Sequence, residues 1–266
     1  MRFIAIIPAR YGSSRFPGKP LALLDGKPII QHVYERAKRV FAYVFVATDD
    51  ERIRQTVENF GGRAVMTRSD HRSGTDRCFE AYQAVCGDVE GTHPGSLAVT
   101  RIDDIVVNIQ GDEPFIAPEQ LQAIQACFTE NPDTEIATLV KPFPGNTAFE
   151  ELCNPNSPKV VVSAAGNAMY FSRSVIPYLR GVPQEEWAQR HTFFKHIGLY
   201  AYRAITLARL VQMPMGELES CESLEQLRWL QAGYSIKVRE TSQETIGIDT
   251  PEDLERAEAF LQSQNL

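Results

Sequence analysis

The first half of the chain alternates short apolar runs with amphipathic stretches, and this alternation limits its possible folds more than any other feature. Residues 3–7, 44–48 and 105–109 are nearly continuous apolar runs, typical of strands that are covered on both faces. Between the first two runs, apolar residues from Ile29 to Phe41 recur at helical spacing. Strands and helices in this succession predict an α/β fold with a mostly parallel, Rossmann-like sheet and helices on both faces.

The pattern changes from residue 142 onward, where prolines and glycines interrupt the chain. Residues 160–162 and 169–171 are β-rich runs on either side of Ala165-Gly166-Asn167, as in an antiparallel hairpin. We therefore expect the sheet to be mixed in this half and to carry an inserted hairpin. A length of 266 residues suits one large α/β domain over residues 1–266.

Composition and charge exclude several kinds of partner. The net charge of −7 disfavours general binding to nucleic acid or to anionic membranes. No apolar segment approaches the ~18 residues of a membrane span, and the chain starts directly with a strand instead of a signal peptide. The five cysteines have no metal-ligand spacing, which favours reduced thiols in a cytoplasmic protein.

The loop after the first strand combines small residues with positive charge. Two glycines and two serines let backbone N–H groups approach a ligand, and two arginines and Lys19 can neutralise a phosphate. A helix opening near Pro28 completes the order of strand, loop and helix found in nucleotide-phosphate sites. The loop has neither Walker A spacing nor the Rossmann glycine triplet, so a surface loop with incidental charge stays open. We expect Lys19 to face solvent.

Two carboxylates follow predicted strands. Asp112 stands at the carboxyl end of the 105–109 run, where open α/β sheets bind ligands, although it could instead close an Asx-type turn. Asp249 precedes Thr250, whose N-cap role with Asp253 leaves Asp249 free for another task or for a structural role. We predict that Asp112 and Asp249 meet beside the first loop, where carboxylates and substrate phosphates would hold Mg²⁺.

Polar side chains also follow patterns in the second half. His196 and Tyr200 lie on one face of an alternating strand, a face that could bind a hydroxylated ligand, although a core or surface role is the default for one histidine. Glu222 and Gln226 are spaced one helical turn apart, so we expect them on one face of one helix. Acids in a first helical turn are also expected for dipole reasons alone.

Taken in this order, these segments resemble the 3-deoxy-manno-octulosonate (Kdo) cytidylyltransferases. The resemblance covers nearly the whole chain, at residues 7–21, 46–50, 73–77, 108–114, 170–173, 196–203, 224–228 and 249–254. It implies the nucleotide-diphospho-sugar transferase fold, a homodimer, CTP and Kdo as substrates, and Mg²⁺. Such enzymes transfer CMP from CTP to the anomeric hydroxyl of Kdo and release pyrophosphate, activating Kdo for lipopolysaccharide synthesis. Residues 1–141 would bind the nucleotide, and residues 142–266 the sugar and the second subunit.

The resemblance also implies roles for individual residues. Those expected to bind the nucleotide are Ala9, Arg10, Gly12, Ser13, Ser14, Arg15, Lys19, Ser73 and Arg77. Those expected to bind the sugar are Gln110, Arg173, His196, Tyr200, Glu222 and Gln226. Arg173 suits the sugar carboxylate best, because guanidinium and carboxylate pair bidentately. The catalytic residues would be Arg10, Lys19, Asp112 and Asp249, with both aspartates holding Mg²⁺ and no dedicated general base.

Three alternatives stay open. Departures from the family pattern within residues 220–229 leave room for a related acid sugar, such as 8-amino-Kdo or sialic acid. A glycosyltransferase of related fold would consume a nucleotide sugar, but it usually carries Asp-x-Asp where this chain has Gln110-Gly111-Asp112. A catalytically silent nucleotide sensor is the third, and the presence of Lys19 together with both aspartates argues against it.

Overall fold

A computed structural model describes residues 1–12, 15–86, 103–243 and 247–264. The chain forms two compact units that interleave along the sequence. Unit 1 comprises Met1–Leu121, Ala201–Val211 and Thr245–Leu266, and unit 2 comprises Gln122–Tyr200 and Gln212–Glu244. The expected assignment of residues 1–266 to one domain stays a prediction. Every helix within the described ranges is too short or too polar to span a bilayer.

Unit 1 is built on parallel strands. Its strands are β1 (Arg2–Ala9), β2 (Leu23–Leu24), β3 (Lys27–Pro28), β4 (Tyr43–Thr48), β5 (Ala64–Met66) and β6 (Asp104–Asn108). The parallel strands follow the order β6-β1-β4-β5, while β2 and β3 form a short antiparallel pair. In this register Ile4 of β1 lies opposite Tyr43 on one side and Val106 on the other. All of β6 is buried, as its continuous apolar run predicted.

Unit 2 carries the mixed part of the fold. Its strands are β7 (Ile136–Pro142), β8 (Lys159–Val162), β9 (Ala168–Ser172), β10 (Phe194–Arg203, whose last three residues belong to unit 1) and β11 (Ile236–Glu240). Strand β11 pairs with β7 in parallel, whereas β8 pairs antiparallel with both β9 and β10. The predicted hairpin is therefore present, and the predicted class, an α/β fold with a mostly parallel mixed sheet, is confirmed.

Ten helices belong to the described ranges. They are α1 (Ile29–Lys38), α2 (Glu51–Asn59), α3 (Gly74–Val85), α4 (Pro118–Thr129), α5 (Phe149–Leu152), α6 (Trp187–Arg190), α7 (Ala204–Leu210), α8 (Glu217–Glu222), α9 (Gln226–Gln231) and α10 (Pro251–Gln264). Residues 19–21 and 184–186 form short 3₁₀ turns.

Local side-chain chemistry starts the helices that border the site. Asp50 caps α2 and Ser73 caps α3, each through a side-chain oxygen that accepts a backbone N–H bond of the first turn. Thr250 and Asp253 exchange side-chain and backbone bonds at the start of α10, which confirms the predicted capping box. The carboxylate of Asp249 takes no part in this cap, so it is available to the site.

The segment between residues 217 and 231 corrects one prediction. Glu222 ends α8 and Gln226 begins α9, so the two side chains do not share the face of one helix as expected. The break lies at Ser223, whose φ of 50° is left-handed and turns the chain out of the first helix. Helical spacing could not reveal this turn, because serine gives no local signal for a left-handed conformation.

Candidate active site

A cavity of about 280 Å³ opens in unit 1 at the carboxyl ends of β1 and β6. It is bordered by the loop after β1, the N-terminus of α3, the turn after β6 and the residues before α10. The lining residues are Pro8, Ala9, Arg10, Arg15, Lys19, Pro20, His71, Arg72, Ser73, Gly74, Arg77, Gln110, Gly111, Asp112 and Asp249. This is the sheet edge at which the sequence predicted a ligand.

The cavity concentrates positive charge in an acidic chain. Its lining includes two carboxylates, Asp112 and Asp249, and five cationic side chains, which are Arg10, Arg15, Lys19, Arg72 and Arg77. The net charge of the whole chain is −7, so the excess of cations here is local. Such a cleft attracts an anion, and its low-dielectric walls strengthen that attraction.

Lys19 joins the two carboxylates. Its Nζ donates to Asp112 Oδ2 at 2.6 Å and to Asp249 Oδ1 at 3.1 Å. The two oxygens can therefore be no further apart than the sum of these distances, and one ammonium already bridges them. Arg15 Nη1 lies a further 3.3 Å from Asp249 Oδ2. The expectation that Lys19 faces solvent is wrong: its side chain is only 13% exposed, because it lies between two acids that the sequence places far away.

Backbone packing brings the two aspartates together. A Cβ added to Gly111 would lie 2.8 Å from the Pro8 carbonyl oxygen, so only glycine lets the turn after β6 pass this close to β1. The Ile248 N–H donates to the Asp112 carbonyl oxygen at 2.9 Å, and the Ile248 side chain is completely buried in an apolar cluster with the start of α1 and with α10. Burying Ile248 therefore fixes Asp249 beside Asp112.

The basic loop is closed on itself. Gly18 has a φ of 72°, which favours glycine, and its N–H donates to the Tyr11 carbonyl oxygen at 2.9 Å. The Arg52 guanidinium carbon lies 3.3 Å from the centroid of the Tyr11 ring and so covers one side of the loop. Ser13 and Ser14, two of the predicted nucleotide-binding residues, lie outside the described residues.

The N-terminus of α3 faces the cavity and suits an anion. The Ser73 hydroxyl caps this helix, and the buried Arg77 guanidinium donates to Thr67 Oγ1 at 2.6 Å and to Asp49 Oδ2 at 3.2 Å. Arg77 thus ties α3 to the ends of β4 and β5, and its contact with a nucleotide stays a prediction. Sequence patterns did not select His71 or Arg72, which also line the cavity, because neither belongs to a periodic run.

The predicted sugar-binding residues belong to different units: Gln110 lines the cavity of unit 1, and the other five lie in unit 2. Arg173 and Glu222 both take part in a network of hydrogen bonds between residues 172–173 and residues 222–223. The Arg173 guanidinium donates to the carbonyl oxygens of Glu222, Pro155 and Ser223, while the Glu222 carboxylate accepts bonds from Ser172 Oγ and the Arg173 N–H. These bonds fasten the end of β9 to the end of α8, and the sugar contacts of both residues stay predictions.

His196 and Tyr200 lie side by side in unit 2, as the strand alternation predicted, with ring centroids 5.3 Å apart. The Phe171 ring packs edge-on against His196, and the Trp229 ring packs edge-on against Tyr200. Gln226 is 4% exposed, and its Nε2 has no hydrogen-bond partner within the described chain. A buried amide with an unused donor is costly unless a ligand or water accepts its hydrogen bond, so the residue suits a polar ligand.

Burial lowers the pKa of His196 to about 4, although the residue as a whole is only partly buried. Its ordinary value is 6.5, so between pH 6.5 and 4 the unfolded chain binds more protons than the folded one. We predict that stability falls by at most about 3 kcal/mol as the pH is lowered through this window, and that this loss levels off below it.

Urea unfolding of wild type and His196→Gln across pH 4–7 measures this effect. The variant is expected to lack this part of the pH dependence. Equal pH slopes for the two proteins would show that His196 titrates alike in the folded and unfolded chains.

A basic, small-residue loop, a helix N-terminus and paired carboxylates at the carboxyl edge of a parallel sheet define a nucleotide-phosphate-binding α/β protein. Comparison with known proteins identifies the family within this class. The chain belongs to the cytidylyltransferase family, whose sequence model matches residues 4–241.

Two similar relatives within this family carry the same name. The chain is 60% identical over 262 residues to a 3-deoxy-manno-octulosonate cytidylyltransferase of Parabacteroides distasonis, with 98% of each chain covered. It is 57% identical to the enzyme of the same name from Phocaeicola vulgatus, with 99% of each covered. A solved structure of CMP:2-keto-3-deoxy-manno-octonic acid synthetase complexed with CTP is 43% identical, covers 100% of both chains and has a TM-score of 0.84.

Proposed function

We propose that this chain transfers CMP from CTP to the anomeric hydroxyl of Kdo and releases pyrophosphate. The observation that carries the proposal is the bridge from Lys19 to Asp112 and Asp249 inside a basic cavity at the carboxyl edge of the sheet. Relatives over the full length of the chain are named for this reaction, and a similar solved structure holds CTP.

The residues of the cavity bind and orient the triphosphate. Arg10, Arg15 and Lys19 supply charge from the loop after β1, and the N-terminus of α3 adds backbone N–H groups. In-line attack of a hydroxyl on the α-phosphate needs little covalent help from a protein. Positioning and charge neutralisation therefore provide the catalysis.

The two aspartates fit a divalent cation. Their carboxylates converge on one positive charge, the Lys19 ammonium, and both remain partly exposed, at 33% and 47%. No group of three or more histidine, cysteine or acidic side chains in the described ranges is placed to hold a metal ion, and Mg²⁺ needs only one or two carboxylates when substrate phosphates complete its shell. Asp112 and Asp249 would hold Mg²⁺, which when bound neutralises phosphate charge and lowers the pKa of the attacking hydroxyl.

The acid sugar is assigned to the polar residues of unit 2, and the sugar contact of Gln110 stays a prediction. The unused donor of Gln226 supports this assignment, as does the adjacent pair of His196 and Tyr200. Burial raises the pKa of Tyr200 well above its usual range, so its hydroxyl stays protonated. A protonated phenol and a neutral imidazole suit the hydroxyl groups of a sugar better than its carboxylate.

The resemblance to the family also supports a homodimer, which light scattering of the purified protein tests. Cysteine chemistry supports a cytoplasmic location. The described cysteines are all free thiols, and burial raises the pKa of Cys127 to about 11, which keeps it protonated. Free thiols are typical of a reducing compartment.

The proposed function is tested by measuring product release with each of the four nucleoside triphosphates and a panel of acid sugars. We expect pyrophosphate release with CTP and Kdo. Turnover only with 8-amino-Kdo or sialic acid would support the same reaction with a different acid sugar as the substrate. Release of a nucleoside diphosphate from a nucleotide sugar would indicate a glycosyltransferase, and nucleotide binding without turnover would indicate a sensor.

The same assay tests nucleotide choice. We predict that CTP is preferred over ATP and GTP, because a purine would clash with the backbone of the small-residue loop. The measurement is kcat/KM for each nucleotide at saturating sugar, with UTP as the control that keeps the pyrimidine size. Equal turnover with ATP would contradict the assignment of this cavity to CTP.

A further inference from the structure

Thr138 of β7 is completely buried in unit 2, and its hydroxyl has four polar neighbours, one of which is the Tyr200 side chain. Its Oγ1 lies 2.9 Å from the Leu199 carbonyl oxygen, 3.1 Å from the Ile197 carbonyl oxygen and 3.3 Å from His196 Nε2. A threonine hydroxyl has one hydrogen to donate and two lone pairs that accept. These contacts therefore cannot all be made by donation from Thr138.

The two carbonyl oxygens determine where the hydrogen of the Thr138 hydroxyl points. Carbonyl oxygens can only accept hydrogen bonds. If the Thr138 hydrogen pointed elsewhere, the lone pairs of the Thr138 and Leu199 oxygens would repel each other at 2.9 Å. The Thr138 hydrogen therefore points to a carbonyl. Its two lone pairs are left to accept, which is enough for both the Tyr200 hydroxyl and His196, so the hydrogen of the contact with His196 comes from Nε2.

We propose that Thr138 is a positioning residue that holds His196 in the Nε2–H tautomer, so that Nδ1 presents a hydrogen-bond acceptor to a hydroxyl of the acid sugar. The identity of the ligand rests on the proposed function, whereas the tautomer does not. The Phe171 ring packs edge-on against the imidazole with centroids 5.3 Å apart, which restricts its orientation. Second-neighbour bonds of this kind commonly set which imidazole nitrogen faces a ligand.

An acceptor at this place complements the other predicted sugar contacts. The Arg173 guanidinium and the Gln226 amide nitrogen can only donate, and the Glu222 carboxylate already accepts bonds from Ser172 and the Arg173 backbone. A polyhydroxylated acid needs acceptors for its hydroxyl hydrogens as well as donors for its carboxylate. The low pKa of His196 keeps the ring neutral near pH 7, so Nδ1 retains its lone pair.

The tautomer is measured by ¹⁵N NMR of the full-length protein labelled at histidine, without substrates, near pH 7. His196→Gln assigns the signals. We expect a pyrrole-like Nε2 and a pyridine-like Nδ1 in wild type, a loss of this preference in Thr138→Val, and its retention in Thr138→Ser. Thr134→Val is the matched control, since it removes another buried threonine hydroxyl of unit 2, one that donates to the Cys127 carbonyl oxygen.

Kinetics then connect the tautomer to the sugar. We expect Thr138→Val to raise the KM for Kdo about tenfold, as for one lost hydrogen bond, with the KM for CTP unchanged and Thr138→Ser restoring the value. An Nδ1–H tautomer in wild type, or an unchanged tautomer in Thr138→Val, overturns the proposal. A lost tautomer with an unchanged KM for Kdo overturns the role in sugar binding. If wild type turns over no acid sugar, the proposed function fails while the NMR result still decides the tautomer.

Discussion

Replacing Lys19 with alanine is expected to lower kcat/KM for CTP by about 10²-fold or more, the loss typical of removing a preorganised charge donor. In the structure this ammonium lies between Asp112 and Asp249, and it is the cation nearest to both. Without it, the two carboxylates repel each other and the triphosphate loses a positive contact. The measurement is steady-state pyrophosphate release at varied CTP.

Two further variants make this result specific. Lys27→Ala removes an exposed lysine that pairs with Glu35 at the surface, and it is expected to leave turnover unchanged. Lys19→Arg keeps the charge but not the compact ammonium, so it is expected to recover only part of the activity. Because both aspartates are partly exposed, Lys19→Ala should change the free energy of unfolding by no more than about 1 kcal/mol. Near-normal turnover in the folded Lys19→Ala protein would show that the charge of the loop is incidental and not part of a phosphate site.

Replacing Asp249 with asparagine is expected to abolish most turnover with little loss of stability. The substitution keeps the size of the side chain and removes one of the two carboxylates that would hold Mg²⁺. Stability is spared because the cap of α10 is made by Thr250 and Asp253, and only the backbone N–H of Asp249 takes part in it. The measurements are pyrophosphate release over a range of Mg²⁺ concentrations and urea unfolding.

Glu252→Gln is the matched control, since it removes one negative charge from the first turn of the same helix, outside the cavity lining. It should retain wild-type turnover and Mg²⁺ dependence. Asp249→Asn with normal activity at every Mg²⁺ concentration would end the two-carboxylate hypothesis. A large loss of stability in Asp249→Asn would show that its carboxylate is part of the fold and not of the site.

Much of the fold could be predicted because it depends on neighbours in sequence. The continuous apolar run at residues 105–109 indicated a strand covered on both faces, and β6 is completely buried. Thr250 and Asp253 have the spacing of a capping box, and they form one. The hairpin of β8 and β9 follows from two β-rich runs around a glycine turn. In each case the periodicity or the local hydrogen bonds lie within a few residues.

The sequence by itself thus determined the α/β class, several of the strands and which residue types stand at the sheet edge. Only the tertiary structure decided how those residues are used. Lys19 and Asp249 are 230 positions apart, and the burial of Ile248 is what brings them together. Thr138 faces His196 from another strand, 58 positions away. Ser223 adopts a left-handed conformation between two helices, where helical spacing had predicted one continuous helix. Such contacts arise from packing between distant segments, for which no periodic pattern in the chain exists.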